Sequence, residues 1–172
     1  MIKDVTSAQN SAFGLVFQGP NITVKDSTFS YNYNGGIRII GGYDFNQIYT
    51  SKIQFEGKVS SHHHFGYLGI GVINNVPLKD IEVNVKGDVV TYLNSGGVYT
   101  YTALSNRVDF TVESEGSFIA CQNSASDISS AGWGGVVTFI DEGVDGYACD
   151  TQILGDHVQS LMPACLACPA CT

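Results

Sequence analysis

Several segments of the chain alternate apolar and polar residues, which is the pattern of a half-buried β-strand. The clearest is IEVNVKG at 81–87. Because successive side chains of a strand point to opposite faces, Ile81, Val83 and Val85 should be buried, while Glu82 faces water. The other alternating segments are ITVK at 22–25, IQFEG at 53–57 and VDFTVE at 108–113.

A second kind of segment begins near a glycine and is more apolar. These glycine-led segments are FGLVF at 13–17, GGIRII at 35–40, GIGVI at 69–73, GGVYTY at 96–101 and GGVVTFI at 134–140. Aligned on Gly14, Gly36, Gly69, Gly97 and Gly135, they recur at intervals of about two to three dozen residues, which is typical of stacked repeats. Each unit should contain a buried glycine-led strand, a variable loop and an alternating strand. We expect such loops at 60–65 and 124–131.

The two kinds of segment together predict an all-β fold. A single-stranded parallel β-helix, or β-solenoid, suits them best, because each coil would bury its apolar face against the next coil and Val98 would be buried with the others. An antiparallel β-sandwich is the alternative. We expect residues 1–147 to form the repeat domain and residues 148–172 to form a cysteine-rich tail that continues in a longer protein.

Composition limits the partners of the chain. Its 172 residues suit one domain, and only 14% of them are charged. The net charge of −8 would repel phosphate, so nucleic acid is not expected as a partner. The sequence has no apolar run long enough for a membrane span.

The glycine-led phrases resemble a known class of repeat. GGIRII, GGVYTY and GGVVTF, alternating with NITVKDSTF and NRVDFTV, are similar to the degenerate β-helix repeats of large surface and adhesin-like proteins, including the glycine-leucine-rich "GLUG" type. The ending CLACPACT resembles the start of the CxxC-rich regions that follow such repeats in surface proteins of some anaerobic protists. The resemblance implies an extracellular or cell-surface location.

The cysteines of the tail allow two interpretations. Cys149, Cys165, Cys168 and Cys171 stand close together, whereas Cys121 is isolated. Oxidation of the four to disulfides fits a secreted segment. Zinc is the alternative, because the overlapping CxxC spacings could hold an ion together with Cys149 or His157.

Other chemistry-bearing residues form no predicted catalytic, metal or cofactor site. The run His62–His64 indicates an exposed loop, because alternation would allow at most His62 and His64 to share an ion. Asp109, Glu113 and Glu115 should lie on one outward strand face. The paired aspartates and the Gly-His-Gly and Arg-x-Lys triplets typical of polygalacturonases do not occur in the sequence.

The sequence therefore favours a non-enzymatic segment of a secreted or surface protein, acting as an adhesive or structural stalk. A glycan or another surface protein is the expected partner, and no cofactor is expected. Candidate contact residues are Tyr43, Tyr67, Tyr99 and Tyr101, because aromatic rings stack on sugars. Asn21, in the sequon Asn21-Ile22-Thr23, is a candidate glycosylation site. The alternative function is a polysaccharide-active lyase or hydrolase of the pectate-lyase-like β-helix type.

Overall fold

The chain folds into β-strands joined by turns and loops. A computed structural model describes residues 1–41, 50–66, 68–74, 80–103, 106–113, 116–121, 123–133 and 136–141. The strands are β1 (Ile2–Lys3), β2 (Thr6–Ala8), β3 (Phe13–Gln18), β4 (Asn21–Ser30), β5 (Gly35–Ile40), β6 (Ser51–His62), β7 (Leu68–Asn74), β8 (Ile81–Val85), β9 (Asp88–Tyr92), β10 (Gly96–Ala103), β11 (Arg107–Val112), β12 (Ser117–Cys121), β13 (Ser126–Trp133) and β14 (Val136–Asp141). The described residues form no helix that could cross a membrane.

These strands form two sheets. The first sheet contains β1, β2, β4, β6, β8, β9, β11, β12 and β14, and the second contains β3, β5, β7, β10 and β13. Every described strand pair is parallel. The predicted all-β class is confirmed, and the antiparallel alternative is wrong for these pairs.

The chain alternates between the two sheets. We call each stretch that runs through the first sheet and then through the second a pass, and the described passes cover 2–18, 21–40, 51–74, 81–103 and 107–133, with β14 following in the first sheet. Parallel neighbours cannot be joined by a tight hairpin, so the chain reaches the hydrogen-bonded neighbour of a strand by way of the other sheet.

Apolar residues at paired positions of successive passes form the core. In the first sheet Ile22 pairs with Ile53, Ile53 with Val83, and Val83 with Phe110. All four are buried, as are the predicted Ile81, Val85 and Val98. Burying one such side chain contributes about 1.5–3 kcal/mol. The predicted alternation is therefore confirmed for the central strands.

The alignment of the glycine-led segments holds for four of the five. The strands that contain Gly14, Gly36, Gly69 and Gly97 are neighbours in the second sheet. The strand of GGVVTFI, β14, instead pairs with β11 in the first sheet, where Phe139 lies opposite Phe110. The glycines that precede this strand therefore do not indicate the sheet to which it belongs.

The two predicted loops are wrong in part, because only residues 63–65 and 124–125 of them lie outside strands. Residues 60–62 complete β6, and the segment 126–133 is β13, which pairs with β10 in the second sheet. The fifth pass therefore supplies its second-sheet strand from SDISSAGW, which has no leading glycine.

Candidate functional site

The turn from the first sheet to the second has the same backbone conformation in four passes. We call this turn the corner. Gln9, Tyr31, His63 and Leu93 occupy one position of it, with φ of 58°, 54°, 55° and 52°. Non-glycine residues rarely adopt this left-handed conformation. Because it interrupts strand alternation, the residue after it can turn inward, and Asn32, His64 and Asn94 are buried there.

These three buried residues form a hydrogen-bonded column through the corner, together with the exposed Asn10 and the half-buried Asn123. This corner column consists of Asn10, Asn32, His64, Asn94 and Asn123. Each of the last four accepts a hydrogen bond from the backbone N–H of the member before it, over 3.0–3.1 Å. The amide of Asn94 also donates to the carbonyl of Ser61 in the preceding pass, at 3.1 Å. The column thus satisfies buried backbone groups that the two sheets leave unpaired.

His64 occupies an asparagine position in this column. Only 5% of the residue is exposed. Its Nδ1 accepts the N–H of Asn32 at 3.1 Å, so the proton of the neutral ring is on Nε2, 3.0 Å from the Ser61 hydroxyl. Burial lowers the pKa of His64 to about 4, with further contributions from His62 and His63. At neutral pH this ring is therefore an uncharged structural group.

The corner column also explains two glycines of the second sheet. The Ser61 hydroxyl donates to the carbonyl of Gly69 at 2.6 Å, and the Thr91 hydroxyl donates to that of Gly97 at 3.3 Å. A Cβ on Gly36 would collide with Ser61 Oγ and would lie 2.6 Å from His64 Nε2. A Cβ on Gly69 would collide with Thr91 in the same way. These glycines recur because the polar corner of the next pass occupies the space of a side chain.

Aromatic and imidazole rings cover the outside of the same corner. We call this surface the aromatic edge, and it consists of Tyr31, Tyr33, His62, His63, Phe65 and Tyr92. His62 stacks on Tyr92 with ring centroids 4.7 Å apart, and His63 stacks on Tyr31 at 5.0 Å. Phe65 is 73% exposed and Tyr33 is 64% exposed. The edge therefore combines an ordered ring cluster with two open aromatic side chains.

The prediction for the histidine run is wrong. The three residues do not form an exposed loop, because His62 ends β6 and His64 is buried. His62 and His63 share the outside, where their Nδ1 atoms lie 2.8 Å apart, since the left-handed His63 interrupts the alternation.

Two of the predicted tyrosines, Tyr99 and Tyr101, lie away from the aromatic edge. Tyr99 and Tyr101 are half-buried on β10, alternating with the buried Val98, Thr100 and Thr102. They therefore point away from the core, on the outer face of the second sheet. Tyr43 and Tyr67 lie outside the described residues. The sequence-based prediction did not include Tyr31, Tyr33, Phe65 and Tyr92. Each lies within two residues of a member of the corner column along the chain, and this proximity could have identified them.

The outer face of the first sheet carries ion pairs between neighbouring passes. Lys25 lies 3.3 Å from Glu56, Lys52 lies 3.2 Å from Glu82, and Lys86 lies 3.4 Å from Glu113. Within β11, Arg107 lies 3.2 Å from Asp109. Both described members of the predicted acidic face, Asp109 and Glu113, thus have a cationic partner, and Glu115 is outside the described residues. A shallow groove crosses the same sheet, lined in part by Thr23, Gln54 and Asn84.

The predicted glycosylation site lies within the described residues, whereas the four cysteines of the predicted tail do not. Asn21 is exposed as the first residue of β4. Cys149, Cys165, Cys168 and Cys171 lie outside the described residues, so the choice between disulfides and zinc stays a prediction.

Comparisons with known proteins do not assign the chain to a group. No protein-family model, no curated protein and no solved structure matches it.

Proposed function

We propose that the two sheets are the faces of a β-solenoid, a single-stranded parallel β-helix in which each pass is one coil. Three features support this. All described strand pairs are parallel, and each pass adds to both sheets. The corner also recurs with a residue in the same left-handed conformation. The GLUG-like phrases fit this proposal, because the glycine leaves room for the corner of the next coil.

We further propose that this solenoid is a non-enzymatic segment of a secreted or cell-surface protein and acts as an adhesive or structural stalk. The observation that carries the proposal is the aromatic edge, which runs along the stacking direction and presents Tyr33 and Phe65 to solvent. Exposed aromatic groups beside polar rings are typical of surfaces that contact glycans or proteins. Tyr99 and Tyr101 remain additional candidate contacts on the second sheet.

The ion pairs favour the stalk over the polysaccharide-active alternative. A glycosidase needs one carboxyl group as an acid and another as a nucleophile or base. Glu56, Glu82 and Glu113 each lie beside a lysine of a neighbouring pass, which is the arrangement of a charged surface ladder.

A glycan-retention experiment tests the adhesive function. The protein would be immobilised and exposed to a panel of neutral and acidic glycans, and to cells, with product analysis for turnover. We expect retention without turnover, weakened at least fivefold by Phe65→Ser. Release of shortened or unsaturated products would support the enzyme instead.

A matched control separates binding from folding. Serine occupies the position after the corner column in other passes, as Ser95 and Ser124. Phe65→Ser should therefore keep the fold, and Val16→Ser, on an exposed site of β3, removes a different apolar side chain. Equal retention by the Phe65→Ser, Val16→Ser and unchanged proteins would contradict an adhesive role for the edge.

Secretion is tested separately, on protein recovered from its native source. We expect fewer than the five cysteine thiols to react without reductant, and a glycan on Asn21 by mass spectrometry. Five free thiols and an unmodified Asn21 would count against a secreted protein. Stoichiometric zinc in elemental analysis would favour the metal interpretation of the tail.

A further inference from the structure

Two imidazoles converge on the outside of the corner. The Nδ1 atoms of His62 and His63 lie 2.8 Å apart and share a hydrogen bond, so one of them carries the proton, and the ring planes are at 81° to each other. Adjacent residues of a strand would point to opposite faces. His63 instead has a φ of 55°, which brings its ring to the same side as that of His62.

The two rings are held by their neighbours. Tyr92 of the next pass stacks on His62, with an interplanar angle of 18°, and Tyr31 of the preceding pass stacks on His63 at 21°. Tyr31 also forms a T-shaped pair with His62, and Tyr92 forms one with His63. Both Nδ1 atoms are therefore positioned before any ligand arrives, which lowers the entropic cost of binding.

The chemistry of the two side chains also suits a metal. Neutral imidazole is a common ligand of zinc, copper and nickel. Both rings are half-buried, so solvent reaches them, and the net charge of −8 attracts cations.

We propose that His62 and His63 bind one divalent transition-metal ion through their Nδ1 atoms. The proton between these atoms moves to Nε2 of the ring that carried it, so that both rings bind the ion as neutral imidazoles. At metal–nitrogen distances of about 2.0–2.1 Å, two ligands at a right angle are about 2.9 Å apart, close to the observed separation, whereas a tetrahedral angle requires about 3.4 Å. The spacing favours tetragonal Cu²⁺ or Ni²⁺, and Cu²⁺ should bind most strongly. Among the described residues no third histidine, cysteine or carboxylate completes the group, so water would supply the remaining ligands.

A Cu²⁺ titration tests the site at pH 7.4 in a non-coordinating buffer, after alkylation of the free thiols. Electron paramagnetic resonance would count the nitrogen ligands. We expect one ion with two imidazole nitrogens, and at least tenfold weaker binding in His62→Gln and His63→Gln. The control is His64→Asn, which removes a histidine from the same run but restores the residue type of the corner column. It should bind as the unchanged protein does.

Binding of equal strength in His62→Gln, His63→Gln and the unchanged protein would overturn the proposal, and so would its loss in His64→Asn alone. A second readout needs no variant. Paramagnetic Cu²⁺ should first broaden the nuclear magnetic resonance signals of His62, His63, Tyr31 and Tyr92. Broadening centred on His157 would also overturn it. The site does not depend on glycan adhesion, so the two proposals fail independently.

Discussion

The ring of His64 accepts the backbone N–H of Asn32 from the preceding pass, at an Nδ1–N distance of 3.1 Å. The same contact is made by an asparagine oxygen elsewhere in the corner column. The fold therefore tolerates either residue type there, provided that the side chain presents an acceptor. For histidine this condition holds only while the ring is neutral.

The first prediction follows from this condition. The pKa of His64 is about 4 in the folded protein and about 6.5 in the unfolded chain, so between these values the unfolded chain binds more protons. The free energy of unfolding should fall as the pH drops from about 6.5 to about 4, by at most about 3 kcal/mol from this residue. Denaturant unfolding across this pH range measures the loss.

His64→Asn is the matched control for the pH prediction, because it keeps an acceptor that does not titrate. Its stability should fall less over the same range, although the lowered pKa of His62 leaves a smaller dependence of the same sign. Parallel pH profiles for the two proteins would show that His64 does not act as a neutral acceptor.

The second prediction concerns the space beside the corner column. The added methyl group of Gly69→Ala would collide with Thr91 and lie 2.7 Å from the Gly97 carbonyl oxygen. We expect a loss of about 1–3 kcal/mol in the free energy of unfolding. Gly71→Ala, on the same strand, meets chiefly the tip of the Leu68 side chain and should cost less than about 1 kcal/mol. Equal denaturant midpoints for the two variants would contradict the explanation of the recurring glycine.

The third prediction tests the alternation of β8. Val83 is fully buried, so Val83→Asp should cost several kcal/mol through desolvation of the carboxylate. Glu82 faces solvent beside Lys52, and Glu82→Gln loses only this exposed pair, worth at most about 1 kcal/mol. Urea midpoints for the two variants measure the difference. Similar destabilisation by both changes would mean that the strand is packed differently.

The fourth prediction uses the left-handed corner residue of the fourth pass. Leu93 has a φ of 52° and is exposed, and asparagine tolerates this conformation better than leucine. Leu93→Asn should raise the free energy of unfolding by about 0.5–1 kcal/mol. Val16→Asn replaces an exposed apolar residue within β3 and should not stabilise the protein. Thermal unfolding of both variants distinguishes the backbone effect from a general effect of polarity.

Sequence reasoning predicted the alternating strands around residues 22–25, 53–57, 81–87 and 108–113, but it did not predict β9, which also has one buried face, or β12. The alternation around Val83 identified the core of the first sheet, because a period of two residues directly reflects burial. It misplaced GGVVTFI, because a glycine-led start marks the second sheet only when the corner of another pass occupies the adjacent space. Whether that space is occupied depends on the tertiary structure and not on the local sequence.

The candidate site was less predictable for a related reason. The three histidines have the same side chain, but those of His62 and His63 point outward while that of His64 points inward. The left-handed φ of His63 causes this difference. Local patterns carry little information about such a conformation in a non-glycine residue. The aromatic edge follows from the same corner, because it collects side chains that are far apart along the chain.

The proposed stack of coils is tested most directly by cross-strand nuclear Overhauser effects in the isotopically labelled protein. If the coils stack as proposed, we expect backbone contacts from Ile22 to Ile53, from Ile53 to Val83 and from Val83 to Phe110. No contact should skip a pass. Because the strands are parallel, no strong Hα–Hα contacts should occur between them. Strong Hα–Hα contacts between sequence-adjacent strands, as in antiparallel hairpins, would contradict it.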